Sequence, residues 1–175
     1  GVSLFHVAGD ADGLTRTALA TMDMTRKQAR LDFDGVSATL IGAEGAGWPV
    51  LERVLDLAAV ALAAEQVGGA QICLDTAVQY AKDRVQFGRP IGSFQAISHY
   101  LADGITAIDG ARVLVHRAAW TRDEGRDVAS LAPMAKLFAT QTCRDVTGVA
   151  IQVHGGMGFT VECDAQLYFR RAKSW

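Results

Sequence analysis

The feature that most constrains the fold is an uninterrupted helical pattern over residues 50–84. No proline falls within it, alanine and leucine dominate, and apolar residues recur at steps of three and four. As one helix it would be roughly 50 Å long at the usual rise per residue. The same period continues from Phe94 to about Ala119 and over residues 131–153, and residues 164–173 form a short amphipathic pattern. These patterns predict a mainly α fold, an antiparallel up-down helical bundle of three long helices and a short fourth.

The ends of the predicted helices carry recognisable residues. Ser93 is a natural N-cap for the second helix, because its hydroxyl can accept a hydrogen bond from the first turn. Pro133 is tolerable in the first turn of the third helix, where no backbone donor is needed. Gly155 falls where that helix would end in a left-handed cap.

The first 47 residues differ in texture from the rest of the chain. Short β-prone runs occupy residues 2–7, Leu14–Leu19 and 29–33, and a turn-forming cluster separates the first two. Several glycines then form a flexible connector. We therefore expect residues 1–47 to be the end of a β-domain with a connector, cut from a longer chain, and residues 48–175 to be a C-terminal helical domain.

Composition removes several classes of partner. The formal net charge of −2 gives no electrostatic footprint for nucleic acid or anionic lipid. The longest mainly apolar stretch, residues 55–73, is interrupted by Asp56, Glu65 and Gln66, so no membrane span is predicted. The three cysteines are odd in number and far apart, which is typical of buried thiols in a reducing compartment. These features predict a cytoplasmic protein.

Several familiar catalytic patterns are missing from the sequence. A di-metal centre in a helical bundle needs inward carboxylates and Glu-x-x-His pairs, and no glutamate here has histidine three residues on. The sequence also contains no His-Glu-x-x-His, paired Cys-x-x-Cys or Gly-x-Ser-x-Gly motif. Of the four scattered histidines, only His154 adjoins a glycine turn, where it could approach a ligand. No metal site is predicted.

Two turns carry residues suited to a ligand, although each also has a purely structural interpretation. In residues 84–95, Arg84 offers a charged fork for a phosphate or carboxylate, whereas basic residues at a helix C-terminus can simply complement the helix dipole. In residues 152–159, the Gly-Gly-x-Gly sequence does not follow a strand, so it is neither a Rossmann fingerprint nor a phosphate-binding loop. That turn could serve only to stop a helix.

Taken together, the Arg-x-x-Phe-Gly turn of residues 84–95 and the Gln-x-x-Gly-Gly turn of residues 152–159 resemble the two signatures of the acyl-CoA dehydrogenase C-terminal domain, with similar spacing. The resemblance extends to residues 45–48 at the domain entry and to residues 64–69 in the first helix. Residues 33–36 resemble the end of the β-domain that precedes the C-terminal domain in that family. The resemblance therefore covers nearly the whole chain.

The resemblance implies an FAD site shared between subunits. Arg84 would neutralise the FAD pyrophosphate, Phe87 would pack beside it, and Gln95 would reach the adenine side. Gln152 and the backbone of Gly155 and Gly156 would receive another part of the dinucleotide across a subunit interface. A guanidinium fork suits a diphosphate, and glycine lets backbone donors approach a bulky ligand.

The resemblance also implies α,β-dehydrogenation of an acyl-CoA thioester, with an electron-accepting flavoprotein or its equivalent as partner and a homo- or hetero-oligomer, dimer or tetramer, as the assembly. The catalytic base is not identifiable in the sequence. One branch of the family carries the catalytic glutamate after the last short helix, about where residues 172–175 fall in this chain. Another branch carries it on the first long helix, at a position that is Ala58 here, and Ala59 replaces the neighbouring arginine. Glu65 lies about two turns further on. Two hypotheses follow: a working dehydrogenase whose base lies outside this chain, or a non-catalytic subunit that completes its partner's FAD site.

Overall fold

The chain contains six short strands and four α-helices, which a computed structural model describes over residues 1–175. Two units, Gly1–Leu55 and Asp56–Trp175, each make most of their contacts internally. The first unit contains all of the longer strands, and the second contains the helical bundle. The mainly α, antiparallel bundle fold predicted from the sequence is confirmed. The predicted domain boundary at residue 47 stays a prediction.

The first unit holds two separate antiparallel strand pairs. These strands are β1 (Leu4–His6), β2 (Leu14–Leu19), β3 (Gln28–Phe33) and β4 (Thr39–Ile41). β1 pairs with β4, and β2 pairs along its whole length with β3. The β-prone runs are confirmed as strands, whereas the sequence patterns do not predict β4, which lies in a short stretch between Gly35 and Gly42.

The helices follow the predicted periodicity closely. They are α1 (Trp48–Asp83), α2 (Gln95–Asp123), α3 (Leu131–His154) and α4 (Ala165–Ser174). Pro49 and Pro133 both fall in the first turn of a helix, where a missing backbone donor breaks no intrahelical bond.

Alanine dominates the core of the bundle. In the core cluster, nine alanines of the first three helices are almost completely buried, and they outnumber the larger apolar side chains among them. Small side chains allow helix backbones to approach closely. The ideal Cβ position at Gly104 of α2 lies 3.2 Å from a methyl carbon of Leu74 in α1 and 3.6 Å from one of Val146 in α3. Three helices therefore meet at this glycine, and a larger residue would push them apart. The nine alanines are Ala63, Ala70, Ala77, Ala81, Ala111, Ala118, Ala135, Ala139 and Ala150.

Polar side chains also cross between the helices. The fully buried Gln66 donates to Thr140 Oγ1 at 3.0 Å, which links α1 to α3. Arg112 donates to Gln71 Oε1 at 2.6 Å, which links α2 to α1. These bonds give the polar side chains partners inside the bundle. Polar groups buried in stable folds are generally hydrogen-bonded in this way.

At two helix ends, the observed backbone differs from the cap predicted from the sequence. Ser93 is not the N-cap of α2, because residues Ile91–Ser93 form a 3₁₀ turn and the Ser93 hydroxyl donates to Pro90 O at 2.7 Å. Phe94 takes the N-cap position with extended backbone and makes no side-chain cap. Gly155 has the positive φ expected, 60°, but its ψ of −134° lies outside the left-handed helical region. The chain instead continues directly into a second 3₁₀ turn, Gly155–Phe159.

Helix α1 is long and apolar enough to cross a membrane by length and composition alone. That is weak evidence, because core helices of soluble proteins meet the same criterion and α1 supplies several core residues here. The cysteines are free thiols, with Cys73 and Cys143 buried and Cys163 half-buried. Burial is the main cause that raises the pKa of the two buried thiols to about 12.

Candidate functional site

The two sequence-predicted turns lie at the same end of the bundle. α1 and α3 both end there and α2 begins there, so the turn of residues 84–94 and the turn that starts at Gly155 are neighbours. Direct contact fixes this arrangement. The ring of Tyr80, near the end of α1, lies 4.5 Å from the ring of His154, the last residue of α3, with 30° between the ring planes.

A tight hairpin forms the centre of the first turn. β5 (Val85–Gln86) and β6 (Arg89–Pro90) pair antiparallel around Phe87 and Gly88. Both central residues have positive φ, 54° at Phe87 and 80° at Gly88, as a two-residue hairpin turn requires. Phe87 is the only non-glycine residue with positive φ, and its side chain is 92% exposed. An apolar ring held in a strained turn and projecting into solvent is available to a ligand or to another chain.

Phe94 anchors this hairpin. Its ring meets the Phe87 ring edge to face at a centroid distance of 6.1 Å, and the guanidinium of Arg89 lies 4.0 Å from its centroid. Cation–π contacts of this kind contribute about 0.5–1 kcal/mol at exposed sites. Arg89 is therefore committed to the hairpin, and it lies six residues beyond Asp83, the last residue of α1.

Arg84 is a cation without an internal partner at the end of α1. It is exposed, follows the last residue of α1, and makes no side-chain hydrogen bond or ion pair within the chain. Its backbone is held on both sides, since Arg84 N donates to Tyr80 O at 2.9 Å and Arg84 O accepts from Ile91 N at 2.8 Å. A guanidinium on a fixed backbone with no internal partner is suited to bind an anion.

Gln95 and Gln152 belong to the two helix ends beside these turns. Gln95 is exposed and is the first residue of α2, where backbone donors and the helix dipole favour negative charge. Gln152 is exposed near the end of α3 and lines a groove of about 500 Å³, whose other walls include Ile97, Tyr100 and Phe169. Each amide can donate and accept, so both suit a ligand with mixed hydrogen-bonding groups.

The glycines of the second turn have two different roles. A Cβ added at Gly155 or Gly156 would meet no atom within 4 Å, so the backbone there faces open space. At Gly158 a Cβ would lie 2.7 Å from Ile151 O, so that glycine lets the 3₁₀ turn fold back onto α3. The first pair leaves room for a ligand, and the last one shapes the turn.

His154 is packed into this end of the bundle and does not face an approaching ligand. Its side chain is 7% exposed and its Nδ1 lies 2.7 Å from Ala150 O. Because a carbonyl oxygen only accepts, Nδ1 carries the hydrogen in that bond. Sequence reasoning singled out His154 but not Tyr80. The sequence signal that could have indicated Tyr80 is its position, one helical turn before Arg84.

On α1, no carboxylate occupies the position at which one branch of the family carries the base. Ala58 and Ala59 are half-buried methyl groups, which cannot accept a proton. Glu65 makes an ion pair with Arg171 at 2.6 Å between Oε1 and Nη1, so α4 holds this carboxylate against α1. A base must reach its substrate, and an oxygen already bound to a guanidinium is poorly placed to do so. The chain also contains no group of three or more side chains that could hold a metal ion.

The fold and both turns define a domain of one class, and comparison with known proteins identifies it. The family model described as acyl-CoA dehydrogenase, C-terminal domain, matches residues 45–175. The chain therefore belongs to the acyl-CoA dehydrogenase family, as its turns predicted, and carries that domain.

Individual relatives agree with this assignment. Acyl-CoA dehydrogenase IpdE2 of Mycolicibacterium smegmatis is 44% identical over 92% of this chain and 47% of its own length. The structure of butyryl-CoA dehydrogenase from Megasphaera elsdenii superposes with a TM-score of 0.94 at 34% identity, over 99% of this chain and 47% of that one. A steroid ACAD designated Tcur3481-Tcur3483 superposes with a TM-score of 0.89 at 34% identity, over 98% and 46%. The chain spans about half the length of these relatives.

Proposed function

We propose that this chain supplies one side of an FAD site in a flavin-dependent acyl-CoA dehydrogenase, and that a second subunit supplies the other side. The observation that carries the proposal is the meeting of both turns at one end of the bundle, fixed by the contact between Tyr80 and His154. Separately, each turn has a structural interpretation. Side by side, they offer a cation, an exposed ring and open glycine backbone to one extended ligand.

The residues present fit FAD. Its diphosphate needs a cation, and Arg84 is exposed with no internal partner. Its bulk needs backbone that it can approach closely, and Gly155 and Gly156 face open space. Its flat rings need apolar surface, and Phe87 is 92% exposed. A monomer gains nothing from exposing such a ring, whereas a site between subunits would cover it.

Each residue then has a distinct part in the proposed site. Arg84 pairs with the diphosphate, Phe87 packs beside it, and Gln95 hydrogen-bonds towards the adenine end. Gln152 binds a further part of the dinucleotide, next to the backbone of Gly155 and Gly156. Bound FAD supplies the two-electron acceptor for oxidation of an acyl-CoA between its α and β carbons. These residues bind and orient the cofactor, and none of them removes the α-proton.

A second candidate function is that of a non-catalytic subunit in a hetero-oligomeric dehydrogenase, which completes the FAD site of its partner. Two observations favour it: methyl groups at Ala58 and Ala59, and the engagement of Glu65 by Arg171. Under either candidate we propose an acyl-CoA substrate, an electron-accepting flavoprotein as partner, and the cytoplasm as location.

The proposed FAD contact is tested by Arg84→Ala in the purified full-length protein. Loss of a charge-assisted, bidentate hydrogen bond should weaken FAD binding roughly tenfold to a hundredfold. Equilibrium titration of apoprotein with FAD, followed by flavin fluorescence, measures the dissociation constant. Arg117→Ala is the matched control, because Arg117 is also an exposed arginine, in α2, with no internal partner. Equal FAD affinity in the two variants would remove Arg84 from the site.

Turnover separates the two candidate functions. The full-length protein, purified alone and then with candidate partner subunits, is assayed for acyl-CoA oxidation with an artificial electron acceptor. Full activity of the protein alone would eliminate the non-catalytic subunit. Activity that appears only with a partner would support it.

A further inference from the structure

The rings of Tyr80 and His154 form the only aromatic contact between the two turn-bearing helices. The two residues are 74 positions apart in sequence, and each lies beside a proposed ligand-binding group. Arg84 N hydrogen-bonds to Tyr80 O at 2.9 Å, so Tyr80 forms the last helical turn beneath Arg84. His154 directly precedes Gly155 and is tied to its own helix through Ala150 O at 2.7 Å.

Other contacts make each turn rigid against its own helix. The ideal Cβ position at Gly92 lies 3.0 Å from Ala81 O, so the 3₁₀ turn before α2 packs directly on the end of α1. Gly158 packs against Ile151 O in the same way at the end of α3. Each turn therefore moves with its helix. The distance between the turns then depends on how the ends of α1 and α3 are held together, which is where Tyr80 and His154 meet.

We propose that Tyr80 and His154 are positioning residues for the cofactor: they touch no ligand, and the contact between their rings sets the spacing between Arg84 and the Gly155–Gly156 backbone. The inference rests on the proposed FAD site and deepens it. One dinucleotide can meet both turns only at one separation, and displacements of about 1 Å in such sites reduce binding or rate strongly. Tyr80 is partly buried against the core and His154 is 7% exposed, so neither ring needs to leave its place to act.

A double-mutant cycle in the full-length protein tests the inference. Tyr80→Leu removes the ring, and its effect on the FAD dissociation constant is measured with Arg84 present and in the Arg84→Ala background. If Tyr80 acts by placing Arg84, Tyr80→Leu should weaken FAD binding about tenfold in the first case and less than about twofold in the second. Tyr80→Phe keeps the ring and should retain the original affinity.

A matched variant separates positioning from general loss of stability. Phe138→Leu removes a half-exposed ring that packs on Gly110, between α2 and α3 and away from the two turns. It should lower the melting temperature of the apoprotein to a similar extent as Tyr80→Leu and leave FAD affinity unchanged.

Each alternative outcome has a defined meaning. Equal weakening by Tyr80→Leu in both backgrounds, or unchanged affinity with Arg84 present, would overturn the positioning role. Equal weakening of FAD binding by Phe138→Leu would also overturn it, because the effect would then follow stability. If Arg84→Ala alone leaves FAD binding intact, the proposed Arg84 contact fails first and the positioning role fails with it. If Arg84→Ala weakens FAD binding and Tyr80→Leu does not, only the positioning role is removed and the proposed Arg84 contact stands.

Discussion

The buried hydrogen bonds around Thr140 make a direct test of what holds the bundle together. Gln66 is 0% exposed and donates to Thr140 Oγ1 at 3.0 Å. Lys136 Nζ donates to the same oxygen at 2.8 Å, and burial lowers the pKa of that lysine. Thr140→Val replaces one hydroxyl by a methyl of nearly the same volume. Packing is retained, and the side-chain hydrogen bonds of Gln66 and Lys136 to Thr140 are lost.

The magnitude follows from burial. A buried polar group left without its partner costs about 1–3 kcal/mol, because water cannot reach it in the folded state and does so after unfolding. Gln66 is completely inaccessible, so its amide carries the full penalty, whereas the half-buried Lys136 can turn towards solvent. We expect Thr140→Val to destabilise the helical domain by about 2 kcal/mol. At a urea dependence of about 2 kcal/mol per M, the midpoint should fall by about 1 M.

Thr106→Val is the matched control. Thr106 is exposed on α2 and its hydroxyl donates only to Ala102 O of its own helix, at 2.9 Å, so the same chemical change should cost less than about 0.5 kcal/mol. The double variant Gln66→Leu with Thr140→Val should cost less than the sum of its single changes, because both partners are then apolar. Urea unfolding curves of the full-length variants measure each value. Equal midpoints for Thr140→Val and Thr106→Val would refute the reasoning.

Two further predictions concern the glycines and the thiols. Gly158→Ala should destabilise by about 1–3 kcal/mol, because its Cβ would lie 2.7 Å from a backbone oxygen, whereas Gly148→Ala, inside α3 with nothing within 4 Å, should stabilise by about 0.5–1 kcal/mol. Urea unfolding measures both, and the opposite order would contradict the packing argument. Iodoacetamide at pH 8 should label the half-buried Cys163 in the folded protein, and Cys73 and Cys143 only after unfolding, as peptide mass spectrometry would show. Since burial raises the pKa of both buried thiols from 9.0 to about 12, their contribution to stability is present below pH 9 and is lost as pH rises towards 12; a double change of both to alanine should flatten that decline.

The helices could be predicted from the sequence because their cause is local and repeated. Apolar residues at steps of three and four identified residues 50–84 and 131–153, and the observed helices are Trp48–Asp83 and Leu131–His154. Many residues contribute to each such pattern, so one exception does not hide it. By contrast, whether Ser93 caps α2 depends on the local backbone of a few residues. Ser93 belongs to the 3₁₀ turn Ile91–Ser93, so Phe94 takes the cap position instead.

The candidate site also has a part that the sequence predicts and a part that it does not. Arg84 and the glycine turn carry residue types that suit a ligand, so sequence alone could select them. The pairing of Tyr80 with His154 could not be selected in this way, because it depends on how far α1 and α3 slide past each other across the alanine-rich core. That offset is set by many small contacts, such as Leu74 and Val146 around Gly104, and none of them leaves a motif.

The proposed cofactor site and proton removal place different physical demands on the chain. In the proposed function, the cofactor would bind to backbone and side chains at the exposed end of the bundle, where an exposed guanidinium and open glycines are compatible with a packed core below them. A catalytic base would need a carboxylate without a strong partner, and Glu65 is held by Arg171, itself 18% exposed. Releasing Glu65 would break its ion pair with Arg171, and the free-energy cost of breaking such a pair grows with burial. The same ion pair that fastens α4 to α1 therefore makes Glu65 a poor candidate for the base of the proposed reaction.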